Sequence, residues 1–381
     1  MRFNAYSLYV LLGLFGPAIG ASSIRAASIE IVTAETRYAG DFRCNMRLDG
    51  EIKVGDFATF VSRRGELDKQ IFKNLEVNGT MAEMWSARAP ILCLNSNGGS
   101  YHEGLKIAEF LLDKGDKHDR QMTTFVGDRS QCHSACALIF LAGKATDRGG
   151  ERYPARVLHV GGAVGFHAPY IDPSKLPSKL YGPADLTAVY RGAIESISEA
   201  IDLFDYRTIG GPGVVGDNRP WVNASLFVQM LRRGPTDLFL IDSVGKAGRW
   251  GIKITGDRRI VRLAPLALKR ACENASAWQN DQIEWKDSPF EEVAKKDPEF
   301  SELKLPSNVS LFKYALVYST VKCAALAVSA LGDDGKPQQF VTSVSVGFLR
   351  GEPVVDYWWQ GGYQLDPWTV YPPDTPIGQL R

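Results

Sequence analysis

The stretch ILCLNSNGGSYHEGLKIAEFLL, residues 91–112, carries the fold expectation for the whole chain. Ile91 to Leu94 is a short apolar run of strand type, stopped by Asn95-Ser96-Asn97-Gly98-Gly99. Leu105, Ala108, Leu111 and Leu112 then recur at helical spacing. This is a strand–turn–helix unit, and the same alternation appears on both sides of it. Upstream, Asn45 to Ile52 alternates like a strand. Downstream come a strand over Thr123 to Val126, an apolar helix over Ser134 to Leu141 and a core strand over Val164 to His167. Leu186, Val189, Tyr190, Ala193, Ile197, Ile201 and Phe204 trace one face of a long amphipathic helix. Leu238 to Ile241 and Ile252 to Ile254 flank a shorter helix ending near Trp250. From Ile29 to about Ile254 the pattern is that of an α/β layer fold.

After Asp257 the character changes. A basic patch opens at Arg258 and Arg259, charged stretches such as Glu291 to Lys296 follow, and Phe340 to Phe348 reads as a strand. The tail is rich in proline and aromatics, among them Tyr357, Trp358, Trp359, Tyr363, Trp368 and Tyr371. Such a cluster suits a peptide- or sugar-binding platform, but the core of a small sheet with an extended tail uses aromatics in the same way. At roughly 150 residues per domain, 381 residues suggest about two domains. The expected division is an export signal over 1–27, an α/β domain over 28–256 and a smaller C-terminal α+β region over 257–381. No internal repeat is visible.

Lys and Arg total 44 against 43 Asp and Glu, a formal net charge of +1, which lacks the electrostatic footprint of a nucleic-acid binder. The N-terminus reads as a secretory signal: Arg2, an uncharged stretch from Ala5 to Ile19, then small residues offering cleavage sites at Ala18-Ile19-Gly20 and Ala26-Ala27. An uncleaved amphipathic anchor is the alternative. Past it no apolar run is long enough to span a membrane, so a periplasmic or secreted protein is expected. In an oxidising compartment the six cysteines, Cys44, Cys93, Cys132, Cys136, Cys272 and Cys323, favour disulfides. Sequence leaves the pairing open, with Cys272–Cys323 favoured because both lie in the C-terminal region. Whether Cys132 and Cys136 bridge to each other is likewise open; such a bridge would flank Ser134 and couple it to redox state. Cys132-His133-x-x-Cys136 has no second Cys/His pair at ligand spacing, so neither metal nor cofactor is expected.

Three segments carry candidate chemistry. The paired glycines Gly98 and Gly99 expose backbone N–H groups free of Cβ obstruction, suited to a developing oxyanion. Ser134, in Gln131-Cys132-His133-Ser134-Ala135-Cys136, opens an apolar helix just past a strand, where it is placed either as a nucleophile or as an ordinary N-cap. The flanking residues do not match the G-x-S-x-G elbow. His167, in Gly165-Phe166-His167-Ala168-Pro169, ends a core strand and is suited to general base catalysis; His159 is a rival, and a hydrogen-bonded structural histidine the plain alternative.

Taken together the segments resemble the Clp-type serine peptidases and the signal-peptide-peptidase A type enzymes of the crotonase-like superfamily. Asn95-Ser96-Asn97-Gly98-Gly99 is similar to the family's N-S-P-G-G turn, with Asn97 in place of proline. Ser134-Ala135 through Leu141-Ala142-Gly143 is similar to its nucleophile helix, and His167-Ala168-Pro169 to its H-x-P segment. The interval from Ser134 to His167 is 33 residues rather than the family's approximate 25, and the surplus falls in Thr146 to Gly162, expected as a polar surface insertion. The likeness covers Met46 to about Ile254. It implies a crotonase-like core of stacked βα units and a Ser134 nucleophile with His167 as general base. Asp237 would orient the imidazole, and the oxyanion hole would be formed by the Gly99 and Ala135 N–H groups, with Gly98 allowing the turn. Asp205, Asp217 and Asp242 are rivals to Asp237, and a Ser/His pair without an acid is the further option.

The expectation is an exported serine hydrolase, a peptidase acting on peptide or protein substrates. The alternative is a non-catalytic crotonase-like module that binds peptides or partner proteins, with Ser134 merely capping its helix. A coenzyme A-dependent hydratase or isomerase is disfavoured, because export removes the chain from the coenzyme A pool. The family's rings also make homo-oligomerisation an expectation.

Overall fold

The computed structural model describes residues 27–32, 43–78, 90–112, 121–146, 152–170, 182–205, 220–234, 236–257, 265–284, 286, 290–292, 309–316, 321–331, 337–348 and 367–381. The expected signal segment falls outside the described residues apart from Ala27.

In chain order the strands up to residue 255 are β1 (Ser28–Ile31), β2 (Met46–Asp49), β3 (Ile91–Asn95), β4 (Thr123–Val126), β5 (Gln131–His133), β6 (Lys144–Thr146), β7 (Arg152–Pro154), β8 (Arg156–His159), β9 (Ala163–Phe166), β10 (Phe239–Leu240) and β11 (Lys253–Thr255). The helices are α1 (Asp56–Asn78), α2 (Tyr101–Leu112), α3 (Ala135–Leu141), α4 (Pro183–Asp205), α5 (Ala224–Leu231), α6 (Val244–Arg249) and α7 (Pro265–Gln279). The protein is mixed α/β. Its main sheet has the order β1-β2-β3-β4-β8-β11, antiparallel only at the β1–β2 edge. Strands flanked by layers on both faces read as near-continuous apolar runs, which is why Leu92, Cys93 and Leu94 are all buried in β3.

A second, three-stranded sheet has the order β10-β9-β5. It grows from the end of β3, because Ser96 bridges Cys132 in parallel register, with the Ser96 N–H donating to Gln131 O and the His133 N–H to Ser96 O at 3.0 Å. So β3 pairs with β4 along its body and with β5 at its C-terminal tip.

Helix α3 is buried along its whole length. Its last carbonyls are satisfied from outside the helix: Thr124 Oγ1 donates to Phe140 O at 2.7 Å and Trp221 Nε1 to Leu141 O at 2.9 Å. Helix α2 crosses the start of α3 at Gly104, where a Cβ would lie 2.8 Å from the Ala135 carbonyl oxygen. Helix α1 had no counterpart in the sequence reading. Buried Phe60 and Leu67 face the core, and Glu103 of α2 accepts from the N–H groups of Gly55 and Phe57 at its N-terminal end.

One expectation is corrected. The segment 146–162, expected as a surface insertion, contains β8, which lies between β4 and β11 with Arg156, Val157 and Leu158 buried. The excess residues are the β6–β7 hairpin and a core strand, whose apolar run is interrupted by Arg156 and His159. Side chains also pack across the division expected at 256/257. Trp278 of α7 stacks on Trp368 at 5.6 Å, and Asn274 Nδ2 donates to the carbonyls of Thr369 and Tyr371 at 2.7 and 2.9 Å. The Trp278 ring fills the space beside Gly248 of α6, and Ile377 N–H donates to Asp242 O at 2.9 Å. Trp368, Ile377 and Leu380 thus join the same core as the α/β layers.

Beyond α7 lies an antiparallel sheet of β12 (Phe290–Glu292), β13 (Val309–Leu316), β14 (Val321–Leu331) and β15 (Pro337–Phe348), in sequential order. Two disulfides join Cys44 to Cys93 and Cys132 to Cys136. Cys272 is disulfide-bonded as well, and the side chain of its expected partner Cys323 lies outside those described. Disulfides of this kind suit an oxidising compartment. No helix among the described residues is long and apolar enough to cross a membrane.

Candidate functional site

The chain passes from β5 to α3 through a single residue, Ser134, at φ 55 and ψ −122. That backbone lies outside the left-handed helical well as well as the right-handed one, and costs on the order of 1–3 kcal/mol. A cap role would need the hydroxyl on a helix N–H. Ser134 makes no such bond. Its hydroxyl bonds to no described residue, and the side chain is partly exposed.

Two neighbours define the space around the hydroxyl. Gly98 faces it so closely that a Cβ there would sit 3.2 Å from Ser134 Oγ and 2.6 Å from its Cβ. The glycine loop is set by Ser96, whose Oγ accepts the Gly98 N–H at 3.1 Å, and by Ile52, whose N–H donates to Gly98 O and whose carbonyl accepts the Ser100 N–H, each at 2.8 Å. The Gly99 N–H donates to no described acceptor. Gly99 is at φ 134, and a Cβ would meet Ile52 O at 2.2 Å. The Ala135 N–H, first in α3, has no acceptor within its helix.

His167 follows the end of β9, the strand beside β5. The parallel register His133↔Gly165 and the 3.0 Å bond from Ser134 N–H to Gly165 O bring Ser134 and His167 to the same end of neighbouring strands. No hydrogen bond joins their side chains, and catalytic bonds commonly tighten only with substrate bound. The imidazole Nδ1 is 2.7 Å from Ala168 O. A carbonyl only accepts, so Nδ1 carries a proton, and in the neutral ring the lone pair is on Nε2. The Tyr170 ring leans on His167 at 5.3 Å.

Asp237 lies on the β10 side of His167, since Phe239 pairs with Phe166 and Leu240 with Gly165. Its carboxylate turns to Arg233 Nη1 at 2.9 Å, 60% exposed, and has no bond to His167. Gly98 lies against Ser134, Gly99 and Ala135 are their chain neighbours, and His167 follows the strand beside β5, while the Asp237 carboxylate turns to Arg233. Among the rivals, Asp242 pairs with Lys246 at 2.7 Å, Asp205 is exposed at the end of α4, and Asp217 lies outside the described residues. His159 ends β8 of the main sheet, where its Nδ1 accepts the Gly161 N–H at 3.1 Å.

His133 enters the sequence analysis as a residue flanking Ser134 and as part of the Cys132-His133-x-x-Cys136 metal candidate. Its imidazole packs over Gly165, its Nε2 is buried without a partner, and burial together with neighbouring His167 lowers its pKa. Ser96, quoted only as part of its motif, is the organiser of the glycine loop. The Ala168 carbonyl was unreadable in advance, because any residue type supplies one. Among the described residues no group of three or more His, Cys, Asp or Glu could hold a metal ion.

The arrangement provides a hydroxyl bonded to no described residue on a strained turn, a histidine whose Nδ1 faces a carbonyl at the adjoining strand end, and backbone N–H groups beside the hydroxyl. That set fits nucleophilic attack on a carbonyl. No protein-family model matches the chain, and comparison with curated proteins finds no significant match.

Proposed function

We propose that the protein is an exported serine hydrolase of crotonase-like fold, a peptidase acting through an acyl-enzyme on Ser134. The observation that carries this reading is the φ 55, ψ −122 backbone of Ser134 combined with a hydroxyl that caps nothing. An N-cap serine gains nothing from that strain, whereas a nucleophile is projected by it.

In the proposed reaction His167 Nε2 takes the Ser134 hydroxyl proton as Oγ attacks the substrate carbonyl carbon. The N–H groups of Gly99 and Ala135 receive the oxyanion. Collapse breaks the C–N bond, and the leaving amine takes the proton back from His167. Water, deprotonated by the same Nε2, then hydrolyses the ester and restores Ser134. The Ala168 carbonyl does the orienting usually given to a carboxylate. The disulfides support the assignment to the periplasm or the extracellular space.

A non-catalytic peptide-binding module is the second reading, and the engagement of Asp237 by Arg233 favours it. A fluorophosphonate probe separates the two. The hydrolase takes one label per chain, loses it in Ser134→Ala and loses most of it in His167→Ala. Absence of label on the wild type, or label that survives Ser134→Ala, rejects the reading.

A further inference from the structure

We propose that the Cys132–Cys136 disulfide is a clamp that holds Ser134 in its projecting conformation, a positioning device for the reaction proposed above, on which its catalytic meaning rests.

The bond joins the residues two before and two after Ser134, with Cα atoms 5.1 Å apart. Between them the chain must change from strand to helix in one residue. Four residues of continued strand would span about 13 Å, far outside the roughly 4.4–6.8 Å that a disulfide permits. With the bond closed, continued strand through to Cys136 is excluded, and the chain has to turn between the two cysteines. The other restraints on the turn are non-covalent, namely the packing of buried α3 and the backbone bonds around Ser134. β5 is only three residues long and α3 only seven, and the turn residue itself contributes one bond to β9.

The position also argues against a purely global role. The stabilisation from a disulfide grows with the loop that it closes. Cys132–Cys136 closes a sequence separation of 4, whereas Cys44–Cys93 closes one of 49. The long loop serves the fold; the short one acts on the residue inside it. Both Cys132 and Cys136 are 0% exposed, so the bond is shielded from thiols in the folded protein and works as a permanent brace.

The test compares wild type with Cys132→Ala/Cys136→Ala and with Cys44→Ala/Cys93→Ala, using two readouts. The first is amide hydrogen exchange of the segment 131–137, which needs no activity. The second is fluorophosphonate labelling, read as rate per labelled chain and as end-point. The clamp is expected to show as exchange at least tenfold faster in 131–137, with labelling at least tenfold slower at an unchanged end-point. The Cys44/Cys93 variant melts lower but labels at the wild-type rate. Unchanged exchange overturns the proposal, as does a reduced end-point with an unchanged rate, which marks partial misfolding only. Cys132→Ser/Cys136→Ser keeps the side-chain volume; if neither double variant folds, the bond serves the fold and the proposal falls. A wild type that takes no label but shows the exchange difference rejects the hydrolase reading and leaves the clamp standing.

Discussion

His167 is held by its own neighbour: the Ala168 carbonyl oxygen accepts from Nδ1 at 2.7 Å. A carbonyl acceptor fixes the ring's orientation and tautomer as a carboxylate would, but brings no full charge to stabilise the imidazolium that forms during attack. A site built this way keeps the geometry of a general base and gives up part of the electrostatic assistance. The same strand pairing that places His167 beside Ser134 also places Asp237 nearby, yet its carboxylate is engaged by Arg233.

Asp237→Asn is therefore expected to alter labelling less than about threefold, while His167→Gln lowers it by on the order of 10²-fold or more. The Arg233–Asp237 pair is 38% and 60% exposed, and pairs of that kind are worth about 1 kcal/mol or less. The melting temperature of Asp237→Asn should accordingly stay close to wild type. A loss of labelling in Asp237→Asn as large as that in His167→Gln would restore the carboxylate to the mechanism.

The two glycines should fail in different ways. At Gly98 an added Cβ meets the Ser134 side chain, at 2.6 Å to Cβ and 3.2 Å to Oγ, with φ at 100. Gly98→Ala should displace the nucleophile and cost about two powers of ten in labelling, comparable to the loss of one oxyanion donor. At Gly99 the added Cβ meets Ile52 backbone instead, 2.2 Å from its carbonyl oxygen. Gly99→Ala should lose labelling and fold stability together, by about 1–3 kcal/mol. Labelling rates and thermal melts on both variants check the contrast.

What the sequence made legible follows the range of the forces involved. The strand through Leu94, the helix after Ser134 and the strand before His167 are local apolar runs with turn residues between them, and all three stand. Helix α1 escaped notice because Phe57, Phe60, Leu67 and Ile71 are separated by charged residues, although their spacing is helical. Strand β8 escaped because Arg156 occupies a core position, and the carbonyl partners of its Nη1 and Nη2 lie 94 and 65 positions away, with Nε left unbonded. The docking of Trp368 on Trp278 and the choice of Arg233 over His167 by Asp237 depend on tertiary geometry that no local pattern encodes.

His133 should make the protein sensitive to acid. Burial first, and then the neighbouring His167, lowers its pKa from the ordinary 6.5. A base whose folded pKa is depressed binds fewer protons in the folded state. Its stabilising contribution is thus present above about pH 6.5 and is lost as pH falls through the folded value. His159, also depressed chiefly by burial, acts in the same direction. Melting temperatures of wild type and His133→Gln, measured between pH 7.5 and 5, should show the wild type losing more on acidification. Parallel curves would refute the assignment to His133.

Arg156 poses the sharpest test of the fold. It is fully buried, with Nη1 donating to Trp250 O at 3.0 Å and Nη2 donating to Trp221 O. Burial lowers its pKa to about 9, and Trp221 also lies under the guanidinium at 5.9 Å. One side chain on β8 thereby ties the C-terminal end of α6 to the segment that enters α5. Arg156→Ala removes that tie, leaves two carbonyls without donors and opens a cavity, together costing about 3–5 kcal/mol. Arg156→Lys supplies a point charge that cannot fork to both carbonyls, and should recover less than half of the loss. Both variants should keep per-chain labelling of Ser134 while they remain folded, because neither touches the β5–α3 turn. Denaturant unfolding provides the energies. A loss under about 1 kcal/mol for Arg156→Ala would mean that the carbonyls find water or other donors, and that the buried cation is dispensable to the fold.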